Sequence, residues 1–456
     1  MRIYFAGGGR CNEYIAKRLI REGHDLVLME KEEERCRQLT ESLDARIICG
    51  HASSIEDWQQ SGLSEADMFV ACTDSDETNV LACLIADDLA PESKKAIRLR
   101  TPEYDKWKPT FDRLGLNLDR VVHPESDIVE RILRVISMPG ISDIRDFVDG
   151  KVKLFSMNLE IGSPLTGMMI ADLEKILGHN EALVGVVFRG YEVIIPRADD
   201  RLQVGDHVYI VTSTHHLDVT LERIGVKKRT HVREVFIVGG GEVGLELARA
   251  LEREKVSIKL FDEDAQRCKY LASELPNTLV INADGTSQET LLRENIEGID
   301  AFISLTGEED ANLIACMLAR RIGVEKVIPA VDRINYLQLA QRLGINTTVN
   351  PRIKAADAIL EFVRKGRVLS VRTLGEEAVE AIELQVSSDS VYINQPLSEL
   401  DLPEGCLVGA ILRPTDGVLI PNGTSWIQAG DRVVFFVQEG SVRELEARFL
   451  EGDISI

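Results

Sequence analysis

The sequence predicts an α/β protein with two Rossmann-like domains built on doubly wound parallel sheets, each followed by a small α+β lobe. Short apolar strands alternate with amphipathic helices in two separate stretches, a pattern typical of a parallel sheet with helices on both faces. Each stretch opens with a strand, a glycine turn and a helix, and an acidic residue ends its second strand. Gly7 and Gly239 are 232 positions apart, and so are Glu30 and Asp262. The two stretches are therefore predicted to be copies of one domain.

In the first copy, apolar runs predict strands at 2–6, 26–30, 45–49, 67–72 and 95–100. Apolar residues at helical spacing predict helices at 10–22, 31–43 and 78–90. The next segment predicts a helix near 107–114, a short strand at 120–123 and a helix at 126–136. The dipeptide Pro139-Gly140 then indicates a hinge or a domain boundary.

The segment 151–225 lacks a glycine turn and carries β-branched strands at 182–188, 192–196 and 207–211, so it predicts a small α+β lobe. A basic linker at 227–231 precedes the second copy. Its predicted strands lie at 234–238, 257–261, 278–281, 299–304 and 326–330. Its predicted helices lie at 242–254, 265–274, 310–322, 334–343 and 352–365, with a short extended segment at 348–350.

The last lobe repeats the earlier small one. Pro196 and Pro421 are 225 positions apart, as are Asp206 and Asp431. We therefore predict four domains, with boundaries at 1–137, 142–226, 232–365 and 366–453.

Composition limits the classes of partner. A chain of 456 residues is long enough for three or four domains of about 100 to 200 residues each. The formal net charge of −22 disfavours non-specific attraction to nucleic acid or to an anionic lipid surface. There is no run of the roughly 18 apolar residues that a membrane-spanning helix needs, so we expect a cytoplasmic protein without direct membrane insertion. The eight cysteines form no C-x-x-C pair, which favours buried free thiols and no metal site.

Both glycine turns are candidate phosphate sites, because the N–H groups at a helix N-terminus can bind a pyrophosphate. The candidate residues of the first turn are Gly7, Gly8, Gly9, Arg10, Cys11 and Asn12. Those of the second turn are Gly239, Gly240, Gly241, Glu242, Val243 and Gly244. Glu30 and Asp262 are placed to bind a ribose hydroxyl, which favours NAD over NADP; the alternative is that both are solvated loop acids.

Three further groups of residues are candidates for ligand contact. Asp284 and Gly285 follow the third strand of the second copy and are expected near an adenine or a ribose, whereas His51 holds that place in the first copy and is expected to be a loop histidine. Arg98 and Arg100 end the fifth strand, where they would reach phosphates, a neighbouring subunit or surface ion partners. The loops after the fourth strands should cap helices, with ligand contact as an additional role for Thr73, Asp74 and Thr306.

The two turns differ in charge and bulk. Arg10 corresponds to Glu242, and Asn12 takes the place of Gly244. An arginine at a helix N-terminus can pair with an additional phosphate, which a glutamate repels. We therefore expect the second copy to prefer NAD(H) and the first to accept a different or additional adenine nucleotide. No nucleophile elbow, Walker lysine or other catalytic set accompanies either turn.

The sequence resembles the TrkA-type cytosolic regulatory proteins of bacterial Trk potassium uptake systems, which have two tandem RCK domains. The resemblance covers essentially the whole chain and is carried by TDSDETNVLACL at 73–84, FIVGGGEVGLEL at 236–247, and GVLIP at 417–421 with AGDR at 429–432. His51 and Ala52 depart from the Gly-Asp or Asp-Gly usual in the third-strand loop of this family.

This resemblance implies that each Rossmann-like N-lobe binds NAD, NADH or an adenine nucleotide such as ATP or ADP, and that the small lobes are RCK C-lobes. It also implies a homotetrameric ring that lies peripherally on the cytoplasmic face of the inner membrane, beneath a TrkH-type potassium channel subunit, and that is not an enzyme. Two alternatives stay open from the residues: an NAD-dependent oxidoreductase and a regulator of potassium efflux.

Overall fold

The computed structural model describes residues 1–100, 108–113, 115–138, 140–190, 192–226, 231–331, 333–345, 347–363, 368–374, 379–390 and 392–450. These residues form two compact units. The first unit comprises Met1–Ile128 and Pro351–Lys365, and the second comprises Val129–Asn350 and Gly366–Ile456. The predicted fold class is confirmed: both units contain a Rossmann-like parallel sheet, and the second also contains two antiparallel lobes.

The first unit is a six-stranded parallel sheet with the order β3-β2-β1-β4-β5-β6. Its strands are β1 (Arg2–Ala6), β2 (Asp25–Glu30), β3 (Arg46–Cys49), β4 (Met68–Ala71), β5 (Lys94–Arg98) and β6 (Arg120–Val122). Its helices are α1 (Arg10–Arg21), α2 (Glu33–Ser42), α3 (Ile55–Ser61), α4 (Asp76–Leu89), α5 (Lys108–Arg113) and the start of α6 (Pro124–Ile136). β1 and β4 are neighbours in the sheet, so the chain reverses its winding between them and leaves a crevice at their carboxyl ends.

The second unit begins with an antiparallel lobe of order β10-β9-β11-β8-β7. Its elements are β7 (Ile141–Phe147), β8 (Val152–Asn158), α7 (Glu174–Leu177), β9 (Ala182–Arg189), β10 (Glu192–Ile194), β11 (His207–Ser213) and α8 (Leu217–Arg223). β11 extends two residues beyond its predicted end, because Thr212 and Ser213 also pair with β8. β10 ends at Ile194, two residues before its predicted end.

A second parallel sheet follows, with the order β14-β13-β12-β15-β16. Its strands are β12 (Glu234–Val238), β13 (Ser257–Asp262), β14 (Thr278–Asn282), β15 (Ala301–Ser304) and β16 (Lys326–Pro329). Its helices are α9 (Glu242–Arg253), α10 (Ala265–Glu274), α11 (Gln288–Arg293), α12 (Glu309–Ile322) and α13 (Ile334–Arg342). The predicted extended segment 348–350 forms an isolated bridge between Val349 and Ala330.

The last helix before the final lobe is α14 (Pro351–Val363), and it belongs to the first unit. Ile359 and Phe362 of α14 are buried in one apolar cluster with Ile15 and Leu19 of α1. A helix encoded more than 300 positions downstream of α1 therefore covers one face of the first parallel sheet.

The final lobe has the strand order β17-β18-β21-β19-β20. Its elements are β17 (Val368–Leu374), β18 (Val379–Gln385), β19 (Cys406–Arg413), β20 (Gly417–Leu419), β21 (Arg432–Gln438) and α15 (Val442–Leu450). It packs on the first small lobe through a shared apolar core. A Cβ at Gly185 would lie 2.2 Å from the Phe436 ring, so only glycine leaves room for that ring. At the edge of this interface, Arg432 pairs with both Asp149 and Glu383.

Several sequence expectations change in the structure. Helices α3 and α11, which follow the third strand of each copy, were not predicted. The expectation of eight free thiols is wrong for Cys36 and Cys49, which form a disulfide. The thiols of five other cysteines are free and buried, and that of Cys406 is half-buried. In the described part of the chain, no helix is long and apolar enough to cross a membrane. The described residues include no cluster of His, Cys, Asp and Glu that could hold a metal ion.

Candidate functional site

The glycine turn of the second copy links β12 to α9 and packs so closely that side chains have little room there. Gly239 has a φ of +101°, and a Cβ at this position would lie 2.8 Å from the Leu305 carbonyl carbon. A Cβ at Gly244 would lie 2.1 Å from the Gly239 carbonyl oxygen. The first and last glycines therefore let the start of α9 approach the ends of β12 and β15, where the helix N-terminus faces the crevice.

Asp262 ends β13 and holds this turn. Its Oδ2 accepts a hydrogen bond from the Gly240 N–H at 2.8 Å, and its Oδ1 accepts one from the Asp264 N–H at 2.9 Å. A Cβ at Gly240 would lie 2.9 Å from Asp262 Oδ2, so the middle glycine also permits this contact. The carboxylate therefore has a fixed position beside the turn, which a solvated loop acid would not have.

The first copy repeats this arrangement with Glu30. Its Oε2 accepts from the Gly8 N–H at 2.6 Å, and its Oε1 accepts from the Lys31 and Glu32 N–H groups at 2.8 and 3.0 Å. The side chain is buried, with 9% of its surface exposed. Gly7 has a φ of +96°, which matches the backbone of the second turn.

Each turn is also contacted by one arginine, which the sequence analysis did not predict. Arg267 of α10 donates from Nε to the Gly240 carbonyl at 2.6 Å, and from Nη2 to Glu242 at 3.1 Å. Arg35 of α2 donates in the same way to the Gly8 carbonyl at 2.9 Å, and its Nη2 lies 2.6 Å from Glu13. These two arginines are 232 positions apart, so the offset of the glycines would have identified them.

Asn12 shows how the first turn tolerates a side chain where the second has Gly244. Its Nδ2 donates to the carbonyls of Gly7 at 2.7 Å, Ala6 at 3.1 Å and Cys72 at 3.3 Å. The side chain is fully buried and joins the end of β1 to the end of β4. Its added bulk is therefore stabilised by hydrogen bonds inside the fold, behind the glycine turn.

The loops after the third strands use different residues for the same local contact. Asp284 Oδ1 accepts from the Thr286 N–H at 2.8 Å and from the Thr286 hydroxyl at 2.6 Å. His51 Nδ1 lies 2.6 Å from the Ser53 hydroxyl and 3.3 Å from the Ser53 N–H. His51 therefore takes the turn-forming position of Asp284. Gly285 packs tightly, since a Cβ there would lie 2.7 Å from the Cβ of Phe261.

The loops after the fourth strands are each tied by an asparagine. Thr73 donates from its N–H and its hydroxyl to Asn79 Oδ1 at 2.8 and 2.7 Å, and Asn79 Nδ2 donates to the Arg98 carbonyl at 2.9 Å. Thr306 and Asn312 repeat both contacts at 3.0 and 2.7 Å.

The helix caps in these loops differ between the copies. In the first copy, Ser75 caps α4 by accepting from the Thr78 N–H, as expected. In the second copy the N-cap of α12 is Glu308, whose side chain makes no capping hydrogen bond. Capping by a side chain is therefore a property of the first loop.

Asn312 Nδ2 donates to the Ala330 carbonyl at 3.0 Å, as Asn79 does to Arg98. The second-copy counterpart of Arg98 is thus Ala330.

These loops enclose a cleft of about 520 Å³ in the first copy. The predicted residues that line it are Gly7, Gly9, Arg10, Cys11, Glu30, Thr73, Asp74, Arg98 and Arg100. Gly8 and Asn12 are buried behind this surface. Lys31, Arg35 and His51, which were not among the predicted ligand contacts, also line it. Five lysine and arginine side chains and three carboxylates border the cleft, so its lining has a net positive charge that suits an anionic ligand.

Arg98 is one of the buried charges of this cleft, with 11% of its side chain exposed. Its Nη2 donates to Glu125 Oε1 at 2.9 Å. A hydrogen bond from Cys11 and the positive charge of Arg98 lower the pKa of the neighbouring Cys72 thiol, despite the opposing effect of burial. The backbone N–H of Arg100 donates to Asp76, and this hydrogen bond does not fix the orientation of the Arg100 side chain. Arg98 therefore forms a buried ion pair with Glu125, and not a surface ion pair.

Comparison with known proteins gives matches along the whole chain. The TrkA-N domain family matches residues 3–124 and 235–351, and the TrkA-C domain family matches residues 154–225 and 381–450. The Trk system potassium uptake protein TrkA of Vibrio alginolyticus is 33% identical over 454 residues, which cover 98% of each chain. A TrkA homologue of Methanosarcina mazei is 30% identical over 456 residues, covering 98% of this chain and 100% of the homologue.

Solved structures share the fold at low identity. The GsuK RCK domain superposes with a TM-score of 0.62 at 16% identity, covering 98% of this chain and 94% of its own. The GsuK channel bound to NAD gives a TM-score of 0.61 at 16% identity, with coverage of 98% and 78%. The structure of GsuK bound to ADP gives 0.51 at 13% identity, with coverage of 80% and 69%.

The two family matches alternate as N, C, N, C, which is the duplication seen in both the sequence and the fold. Together with identity of 30% or more over nearly the full length of the relatives, they show that the chain belongs to the TrkA family of Trk system potassium uptake proteins.

Proposed function

We propose that this chain is the regulatory subunit of a membrane potassium uptake system and that nucleotides bound at both N-lobes control it. One observation carries this proposal: a carboxylate fixed on the second glycine of the turn occurs twice, in register, at the crevice of a parallel sheet. That arrangement supports the proposal, because a helix N-terminus can bind a pyrophosphate and an acid at the end of the second strand can bind a ribose hydroxyl.

The two copies are suited to different nucleotides. In the second copy, Glu242 lies at the start of α9 and pairs with Arg267, so an additional phosphate there would meet a carboxylate. The first copy has Arg10 at that position, together with Arg98 and Arg100 in the cleft. We therefore assign NAD or NADH to the second copy, and ATP or ADP to the first. The solved structures of GsuK bound to NAD and to ADP support nucleotide binding by this fold.

Control operates through binding without chemical turnover. A nucleotide that binds two conformations of an N-lobe unequally shifts their equilibrium by no more than the ratio of its affinities. The relatives are Trk system potassium uptake proteins, which supports a role in potassium transport.

We also propose that the chain assembles into a homotetrameric ring beneath a TrkH-type potassium channel subunit, on the cytoplasmic face of the inner membrane. Exposed apolar side chains on two helices that pack together support self-association. They are Ile314 and Met317 on α12, with 56% and 38% of their surface exposed, and Leu339 on α13, with 42% exposed. Leu81 on α4 occupies the position of Ile314 in the first copy and is 43% exposed.

Two measurements test the proposal. Calorimetry of the purified chain with NADH and with ATP should give saturable binding of both. Rubidium uptake into vesicles that contain the channel subunit and this chain should then change when either nucleotide is added. Binding of neither nucleotide, or uptake that does not respond to bound nucleotide, would refute it.

The two alternative functions have their own tests. Oxidation of NADH by the purified chain with a pool of metabolites would support an oxidoreductase. Deletion of the gene should reduce potassium uptake; an effect on efflux alone would instead indicate an efflux regulator.

A further inference from the structure

The disulfide between Cys36 and Cys49 lies beside the cleft of the first copy. Cys36 is in α2 and is buried, whereas Cys49 ends the edge strand β3 and is exposed. Their Cα atoms are 6.1 Å apart, a separation that suits a disulfide. The pair therefore joins an exposed residue of the edge strand to a buried residue of α2.

Both cysteines are attached to backbone that borders the nucleotide cleft. Cys36 Sγ lies 3.3 Å from the Glu30 carbonyl oxygen. Cys49 pairs with Glu30 in the sheet, and the N–H of the next residue, Gly50, donates to the same carbonyl at 2.9 Å. Arg35 precedes Cys36 directly, and both Arg35 and Gly50 line the cleft. The disulfide thus connects two segments of the cleft wall across the residue proposed to bind the ribose.

The second copy has the first cysteine and lacks the second. Cys268 Sγ lies 3.3 Å from the Asp262 carbonyl, which is the position of Cys36 relative to Glu30. Asn282 pairs with Asp262 in the sheet, as Cys49 does with Glu30, and its Nδ2 donates to the Asp262 carbonyl at 3.0 Å. A hydrogen bond in the second copy thus corresponds to the covalent bond in the first.

We propose that Cys36 and Cys49 form a reversible redox site that sets the nucleotide affinity of the first cleft. The proposal rests on the nucleotide-binding function given above. A disulfide in a protein that works in a reducing compartment is usually a transient or sensing bond. The partial exposure of this pair provides the access that such exchange requires.

The exchange partner is a low-molecular-weight disulfide. The Cys49 thiolate attacks one of its sulfurs, forms a mixed disulfide and releases one small thiolate. The Cys36 thiolate then attacks Cys49 Sγ and releases the second small thiolate. Two protein thiols are oxidised to one disulfide, the small disulfide is reduced to two thiols, and the two protons from the cysteines go to the released thiolates. Excess small thiol reverses both steps.

Oxidation is expected to tighten nucleotide binding. With the bond formed, the start of α2 and the end of β3 are held together, so the cleft wall needs less ordering when a ligand binds. Because immobilising one or two side chains or loop segments carries a modest entropic cost, we expect the oxidised protein to bind ADP about three- to tenfold more tightly than the reduced protein.

The test uses the full chain, equilibrated with glutathione and glutathione disulfide at a series of ratios. Mass spectrometry of alkylated peptides should detect one bond, between Cys36 and Cys49, whose fraction follows the ratio. Calorimetry should show tighter ADP binding in the oxidised samples, with an unchanged NADH affinity. Failure to form the bond under oxidising conditions, or an ADP affinity that is equal in both states, would overturn the proposal.

Matched variants separate the bond from other thiol effects. Cys49→Ser should abolish the redox response of ADP binding and keep the affinity of the reduced protein. Cys268→Ser alters the equivalent cysteine of the second copy and should leave the response intact; loss of the response in this variant would overturn the assignment. If ADP bound in neither redox state, the proposed nucleotide function would fail, while the peptide analysis would still establish whether the bond forms and reverses.

Discussion

Glu30 Oε2 accepts a hydrogen bond from the Gly8 N–H at 2.6 Å, so the acid at the end of β2 also holds the glycine turn after β1. Asp262 and Gly240 make the same contact at 2.8 Å in the second copy. The carboxylate therefore holds the glycine turn in each N-lobe. Under the proposed function, it would also bind a ribose hydroxyl.

Neutralising the carboxylate of one copy should weaken nucleotide binding at the site of that copy only. Asp262→Asn loses a charge-assisted hydrogen bond, which is worth about 1.5–3 kcal/mol, so NADH affinity should fall about ten- to a hundredfold. Calorimetry measures the change. Glu30→Gln is the matched control and should reduce ADP affinity while it preserves that for NADH. Equal NADH affinity in Asp262→Asn and the wild type would contradict the assignment.

A methyl group should be tolerated at one glycine of the second turn and not at its neighbour. A Cβ at Gly240 would lie 2.3 Å from Leu271 Cδ1, whereas no atom lies within 4 Å of a Cβ at Gly241. Gly240→Ala should therefore destabilise the domain by about 1–3 kcal/mol and abolish NADH binding, because overpacking displaces the turn.

Gly241→Ala is the control for that variant. Its φ of −62° suits alanine, so both the melting temperature and the NADH affinity should stay close to those of the wild type. Similar losses of melting temperature and NADH affinity in the two variants would contradict a specific role for the close contact with Leu271. They would indicate that the turn needs the backbone flexibility of glycine at both positions.

Exchanging the charges at the helix starts should change ligand preference. Arg10→Glu places a carboxylate at the first cleft, so affinity for ATP should fall about tenfold or more, while the affinity of the second site for NADH should be unchanged. Glu242→Arg should raise affinity for ATP at the second site. Competition calorimetry with both nucleotides measures the preference, and an unchanged ratio in both variants would refute the role of this position.

The first small lobe should lose stability in mild acid because of His207. Burial lowers the pKa of this imidazole to about 4 from an ordinary value of 6.5, although Asp143 opposes the shift. Between these two values the unfolded chain binds a proton that the folded lobe does not. The free energy of unfolding should thus fall by up to about 1.4 kcal/mol for each pH unit between 6.5 and about 4.

Urea denaturation at pH 7 and pH 5 measures this loss. The ring nitrogen Nδ1 lies 2.6 Å from Asn158 Oδ1, so His207→Gln can keep a hydrogen bond at this place without a titrating group. The variant should show a smaller loss between the two pH values. An equal loss in variant and wild type would assign the acid sensitivity to other residues.

Features that depend on local pattern were predictable from the sequence. The alternation of strands and helices located both parallel sheets, and the common offset of Gly7 and Glu30 from Gly239 and Asp262 located both turns. The ends of elements were less accurate. Helices α3 and α11 were missed because each is short and follows a polar loop. The four domain boundaries and the assignment of ligand contacts stay predictions.

Features that depend on distant contacts were not predictable. The position of Asn12 suggested only added bulk, because its three carbonyl partners come together when β1 and β4 become neighbours. The pairing of Cys36 with Cys49 requires that α2 fold back beside β3. The packing of Ile359 on α1 joins residues whose patterns, read separately, predict only two amphipathic helices.

The place of α14 determines when the first domain can be completed during synthesis. A ribosome that has made the first glycine turn, the first cleft and even the whole first small lobe has not yet made the helix that covers Ile15 and Leu19. Until Val363 leaves the exit tunnel, these side chains face solvent or a temporary partner. The first N-lobe to be translated is thus completed late, and a nascent chain stopped before α14 would lack part of the cover of its apolar core.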